Sequence, residues 1–168
     1  GEVISYNNAL QLNIKQIRRA YEDEYKPADY MPSTEKDPEA MYQELLSYGR
    51  QVKNPYLRKI IEYYFENDMD FIKKFKNHSA AKTVHHGFAG GLLEHTLSVV
   101  KFCEYMVGAY PILNRDLLYT AAMCHDIGKI KELSPFPAND YTDDGQLLGH
   151  IVIGVEMISD AIRTIPDF

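Results

Sequence analysis

His125 and Asp126 stand side by side in the run Ala121-Ala122-Met123-Cys124-His125-Asp126-Ile127-Gly128-Lys129. A histidine followed directly by an aspartate offers a nitrogen and an oxygen ligand next to each other. The pair closes an apolar helical stretch, just before a glycine that can stop the helix. His95 and His150 lie on flanking helical segments. Imidazole and carboxylate together suit Mn, Fe, Zn or Ni rather than Ca. A divalent cation held in the core of a helical bundle can hydrolyse a phosphate ester.

Helical phase predicts where these side chains point. His95 shares a face with Leu92, Val99, Phe102 and Met106, which predicts a core-facing position. His125 shares one with Leu118, Ala121 and Ala122, where the small alanines would let a neighbouring helix come close. Asp126 is turned about 100° further round, and both side chains can still reach one ion over the last turn. His150 aligns with Gly154, Met157 and Ala161. For any one of these histidines alone, a hydrogen-bonded core residue is the commoner outcome. A buried Asp126 among apolar neighbours needs a partner, and a metal ion is the partner expected here.

Other polar residues carry less. Lys129 either holds a phosphate beside the metal or complements the helix C-terminal dipole. His85 and His86 precede Gly90-Gly91 in a loop whose backbone N–H groups either cradle an anion or form an ordinary turn. Glu94 is either a support for His95 or an exposed residue. Asp143 and Asp144 read as turn residues, and His78 as a surface residue.

These residues need a scaffold, and the composition bounds it. A chain of 168 residues makes about one domain with a real core. Its 45% apolar and 25% charged content is ordinary for a globular protein. No apolar run approaches the roughly 18–20 residues that span a bilayer, and no signal-peptide pattern opens the chain. Cys103 and Cys124 do not make a disulfide framework, which points to the cytoplasm. The net charge of −6 disfavours non-specific nucleic-acid binding. Residues 50–82 nevertheless hold eight basic residues against four acids. That strip either tracks a phosphate backbone or forms a solvated helix face.

Residues 1–20 read as a β-hairpin turning at Asn7-Asn8, with Leu10, Leu12 and Ile14 alternating with polar residues. A lone hairpin is marginal in water, and with no initiator methionine the chain reads as a fragment. Residues 21–36 are acidic, contain Pro27 and Pro32, and read as a linker. Residues 37–168 read as helical. Asp37-Pro38 and Asn54-Pro55 are N-caps followed by proline, opening helices to about Val52 and about Asn67. A short helix is expected over 68–76. A long one should run from Leu92 to about Ala109, another is capped by Asn114, and a last one spans about Leu147 to Ile165. The fold class is therefore mainly α, a helical bundle behind a short hairpin.

The order His95, His125-Asp126, His150 resembles the HD-domain superfamily of metal-dependent phosphohydrolases. Four blocks make the likeness closer: residues 85–99, 113–118, 125–129 and 145–151. Together they resemble the YhaM-type 3′→5′ exoribonucleases over about residues 83–155. The resemblance implies an OB-fold that binds single strands ahead of the HD domain, and the hairpin would be that barrel's last strands. It implies a divalent metal, Mn foremost with Fe, Ni, Zn or Mg as alternatives, and single-stranded RNA or DNA as substrate, with no membrane partner. His95, His125 and Asp126 would hold the metal. Asp126, Lys129 and His150 would carry the chemistry, with His86, Lys129 and His150 against the substrate.

The HD pattern also places a last aspartate on a later helix, and Asp160 and Asp167 have no matching context. That departure implies weak metal affinity and little turnover for residues 1–168. Two other readings stay open. An HD phosphohydrolase acting on free or signalling nucleotides is disfavoured by the hairpin and the basic strip. A non-catalytic module that kept the helical fold would be expected to have lost ligand residues, and His125-Asp126 is intact.

Overall fold

The computed structural model describes residues 1–21, 24–25, 32–82 and 86–168. It divides into two compact units, Gly1–Tyr30 and Met31–Phe168.

In the first unit β1 (Glu2–Tyr6) pairs antiparallel with β2 (Ala9–Asn13), and Tyr6 faces Ala9 across the turn. Asn7 and Asn8 both take positive φ, 50° and 63°. That is the left-handed pair a two-residue hairpin turn requires, and asparagine tolerates it best after glycine. Every strand residue is exposed on both faces.

The second unit is helical. Its helices are α1 (Pro38–Gly49), α2 (Pro55–Glu62), α3 (Met69–Asn77), α4 (Gly91–Ala109) and α5 (Arg115–Cys124). Then follow α6 (Lys129–Glu132), α7 (Asp143–Leu147) and α8 (Gly149–Arg163). Among the described residues no helix is long and apolar enough to cross a membrane.

The starts are set by local chemistry. The Asp37 carboxylate accepts from the Glu39 N–H at 2.8 Å. The Asn54 side chain accepts from Tyr56 and Leu57, and that of Asn114 from Leu117. Each satisfies N–H groups that a helix start leaves without partners. Asp116 adds a tertiary staple, because its Oδ2 accepts from the N–H groups of Lys53 and Asn54 at 3.0 and 2.7 Å. α2 does not run on as α-helix to Asn67. Residues Tyr63–Asn67 form a π turn, closed by the Asp68 N–H donating to the Tyr63 carbonyl. Asp68 then caps α3.

Leu45, Ile61, Phe65, Phe75, Leu92, Leu93, Val100, Tyr119, Met123 and Ile127 meet with no exposed surface. α4 crosses α1, α3 and α5, so the core is shared by the helices that carry His95 and His125.

Four expectations need correction. Asp143 and Asp144 are the first turn of α7, not a bare turn, and the Thr142 hydroxyl caps that helix by accepting from Gly145. His78 is buried, with Nε2 donating to the Leu133 carbonyl at 3.1 Å and Nδ1 accepting from Ser79. Burial pushes its pKa down. The face shared by His95 and Phe102 is core only near its start: Leu92 is fully buried, whereas Phe102 is 61% exposed. The buried face of α4 centres instead on Leu93, Thr96, Leu97 and Val100, about a third of a turn away. Ala121 is likewise exposed, so only Ala122 of the alanine pair packs inward.

The expected linker falls partly outside the described residues, which omit 22–23 and 26–31. Its end is tied down. The Thr34 N–H donates to the Ala89 carbonyl and the Ala89 N–H to that of Pro32, each at 2.9 Å. The basic strip is half neutralised, with Arg58, Lys74, Lys76 and Lys82 all in ion pairs with acids of this chain.

Candidate metal centre

Asp126 lies one residue past the C-cap of α5, in the tight turn that leads into α6. Its side chain is only 6% exposed. Oδ2 lies 3.4 Å from His95 Nε2 and 3.3 Å from His125 Nε2, and the two Nε2 atoms are 3.2 Å apart. These three atoms can ligate one ion. His150 approaches the other oxygen, its Nε2 3.5 Å from Oδ1. Four elements thus deliver the group: α4 brings His95, the end of α5 His125, the turn Asp126, and α8 His150.

The tautomers follow from the partners. His125 Nδ1 donates to the Ala122 carbonyl at 2.8 Å. The proton of a neutral ring is thereby placed on Nδ1, and the lone pair is left on Nε2, toward Asp126. His95 and His125 remain about one-third exposed, at 33% and 35%. A site that must admit an ion and a substrate sits at the rim of a core, not its centre.

The electrostatics fit a cation. Burial pushes the Asp126 pKa up, but hydrogen bonds from a protonated His125 and from Lys129 outweigh it and hold the carboxyl well below its usual range. Burial lowers the His125 pKa, and the Asp126 carboxylate and the Ala122 carbonyl outweigh it and leave the pKa raised. His95 stays lowered, by burial first, with Asp126 only partly opposing. Two imidazole nitrogens and a carboxylate oxygen held this close make a donor set suited to one cation.

Lys129 is the partner that the sequence reading did not give Asp126. Its Nζ donates to Oδ2 at 2.9 Å and to the Ala80 carbonyl at 2.7 Å. The carboxylate is therefore ion-paired without any metal. The ammonium also ties the metal centre to the loop ahead of α4. The Ala80 N–H donates to the His86 carbonyl, and Asn139 donates to the carbonyls of Ala81 and Lys82. His86 takes a positive φ of 62°, and its ring lies 5.4 Å from that of His95. His85 lies outside the described residues.

Two glycines are explained by close approach. Gly128 does not stop a helix in a left-handed conformation; its φ of −61° is ordinary. A Cβ there would collide with the His150 carbonyl and lie 2.8 Å from Gly154 N. Gly91 lies just as tightly against the carbonyl of His86. Glu94 is engaged as well, accepting from Thr34 at 2.7 Å and pairing with Lys36. Glu132 was not foreseen as part of the site. Its Oε1 accepts from both the backbone N–H and Nδ1 of His150, each at 2.9 Å.

Residues 92–165 match the sequence profile of the HD domain and span His95, His125, Asp126 and His150. That stretch of the chain is similar to the HD-domain family. Over 162 residues, 96% of its length, it is 36% identical to the 3′-5′ exoribonuclease YhaM of Geobacillus sp. (strain WCH70). It spans 49% of that relative's length, about half. No solved structure matches the chain. With the family and the donor set in agreement, the residues present fit a divalent metal. His95, His125 and Asp126 would be its ligands.

Proposed function

We propose that this chain is the HD-domain part of a metal-dependent 3′→5′ exonuclease acting on single-stranded RNA, and secondarily on single-stranded DNA. One observation carries the reading. The Nε2 atoms of His95 and His125 converge with Asp126 Oδ2 within 3.4 Å, on a solvent-reached rim, beside a lysine ammonium. The likeness to an exoribonuclease over nearly the whole chain supports a nuclease over other phosphohydrolases.

A divalent ion here, Mn first among Mn, Fe, Ni, Zn and Mg, would polarise the phosphoryl oxygens and acidify a water molecule. The chain's own groups do the rest. Lys129 Nζ spends two of its three N–H donors on Asp126 and Ala80. The third can meet a non-bridging phosphate oxygen and oppose its charge. His86, across from His95, would contact the terminal nucleotide. His150 would act through the lone pair on Nε2, accepting the proton that the attacking water loses and passing it to the departing oxygen. Water attacks phosphorus, the bond to the 3′-oxygen of the penultimate nucleotide breaks, and that oxygen takes the proton. The products are a nucleoside 5′-monophosphate and an RNA one residue shorter with a free 3′-hydroxyl.

The test is digestion of single-stranded RNA labelled at the 5′ end, with Mn(II), resolved on a sequencing gel. A ladder shortening from the 3′ end with release of 5′-monophosphates supports the reading. Hydrolysis of mononucleotides with no attack on RNA would overturn it in favour of a nucleotide phosphohydrolase.

A further inference from the structure

Glu132, the last residue of α6, is a buried carboxylate with an 11% exposed side chain, and no motif explains it. Its backbone is fixed from α7. The Thr142 N–H donates to the Glu132 carbonyl at 2.9 Å, and Gly145 packs against that carbonyl where any Cβ would collide. Its side chain is spent on one residue. Oε1 accepts from His150 N and from His150 Nδ1.

A carboxylate can only accept. Nδ1 of His150 must therefore carry the proton, which leaves the lone pair of the neutral ring on Nε2, 3.5 Å from Asp126 Oδ1. A free imidazole side chain prefers the opposite tautomer, with the proton on Nε2. That form would aim an N–H at Asp126 and spend the ring on a local hydrogen bond. The backbone contact also holds the ring, because the same oxygen grips the N–H and Nδ1 of one residue. α8 has no capping side chain of its own at Leu148, so Glu132 reaches across from α6 to supply one.

We propose that Glu132 is a positioning residue, fixing the tautomer and orientation of His150 so that Nε2 faces the reaction site. Its bearing on turnover rests on the nuclease reading above; its bearing on the tautomer does not. The competing account is that Glu132 only caps α8.

Nitrogen-15 NMR of the metal-free, histidine-labelled protein, at a pH where His150 is neutral, separates the two. The wild type should show His150 protonated on Nδ1 and bare on Nε2. Glu132→Ala should move the proton to Nε2, and Glu132→Gln, which keeps an acceptor oxygen, should restore the original form. On RNA with Mn(II), Glu132→Ala should lower kcat by about 10–100-fold, the usual effect of losing a residue that orients a site histidine. In a His150→Ala background the same change should cost no further kcat, while its effect on Tm persists. Nε2 protonation in the wild type would overturn the proposal. So would a Glu132→Ala protein that loses Tm but keeps the tautomer. Should the tautomers behave as expected while the wild type hydrolyses mononucleotides and leaves RNA intact, the nuclease reading falls and the positioning role stands.

Discussion

Replacing Asp126 by asparagine tests the metal centre most directly, because the shape is kept and only the charge is removed. The carboxylate is the one anionic ligand of the three, and its Oδ2 lies within 3.4 Å of both ligand imidazoles. Without metal the change should be tolerated. Lys129 loses the Oδ2 partner but keeps the Ala80 carbonyl, so the expected cost is about 1–3 kcal/mol, that of one disturbed buried polar contact. With metal the difference should be large. At a Mn(II) concentration about 100 times the wild-type Kd, binding stabilises the folded state by about 2.7 kcal/mol. For a domain of this size that raises Tm by roughly 8 °C, at about 3 °C per kcal/mol. A variant whose affinity has fallen about 100-fold gains only about 0.4 kcal/mol at the same concentration, roughly 1 °C. Thermal unfolding of both proteins across a Mn(II) titration reads the two shifts directly. An equal metal-induced shift in wild type and Asp126→Asn would refute the assignment of Asp126 as a ligand.

Other substitutions divide the site by role. His125→Ala should abolish the metal-induced Tm shift, whereas His86→Ala should keep it and lower RNA turnover by about 10-fold or more; loss of the shift in His86→Ala would make His86 a ligand. Gly128→Ala has a compatible φ of −61°, so any cost comes from the collision with the His150 carbonyl. About 1–3 kcal/mol of destabilisation is expected in urea unfolding, and a stability equal to wild type would refute the close approach. The buried, pKa-lowered His78 makes the fold pH-sensitive. Its folded pKa is below the unfolded value of about 6.5, so as pH falls through that value the unfolded chain takes up a proton that the folded chain refuses. The contribution is full above that pH and is lost below it. His78→Gln should show a shallower fall in Tm between pH 7 and pH 5, and parallel curves would refute the effect.

What the sequence reveals here is what local chemistry decides. The caps at Asp37, Asn54 and Asn114 act within three residues of themselves, so those helix starts stand where the pattern put them. Tyr63–Asn67 breaks the rule modestly, because a π turn keeps helical periodicity while changing its partners. The misses are tertiary. His78 is inside because the Leu133 carbonyl, far along the chain, accepts a hydrogen bond from its Nε2. α6 and α7 are only four and five residues long, too short for periodicity to register. For α4 the buried face lies about a third of a turn from the one that Phe102 and Met106 suggest, because Thr96 is buried in their place. Lys129 and Glu132 had ambiguous local readings or none. Glu132 meets His150 on another segment, and Lys129, besides Asp126 three residues back, meets Ala80 on another.

Gly128 and Gly145 are where main chain meets main chain around His150 and Glu132. The gap between Asp126 Oδ1 and His150 Nε2 is consequently gauged by peptide planes, not by side-chain volumes. Drift in the apolar core among descendants of this sequence can then raise or lower stability without resizing the cleft. Changing the spacing would take substitutions at the two glycines themselves, and those positions admit almost none. The dimension most important to the chemistry is thus insulated from the part of the sequence that is freest to vary.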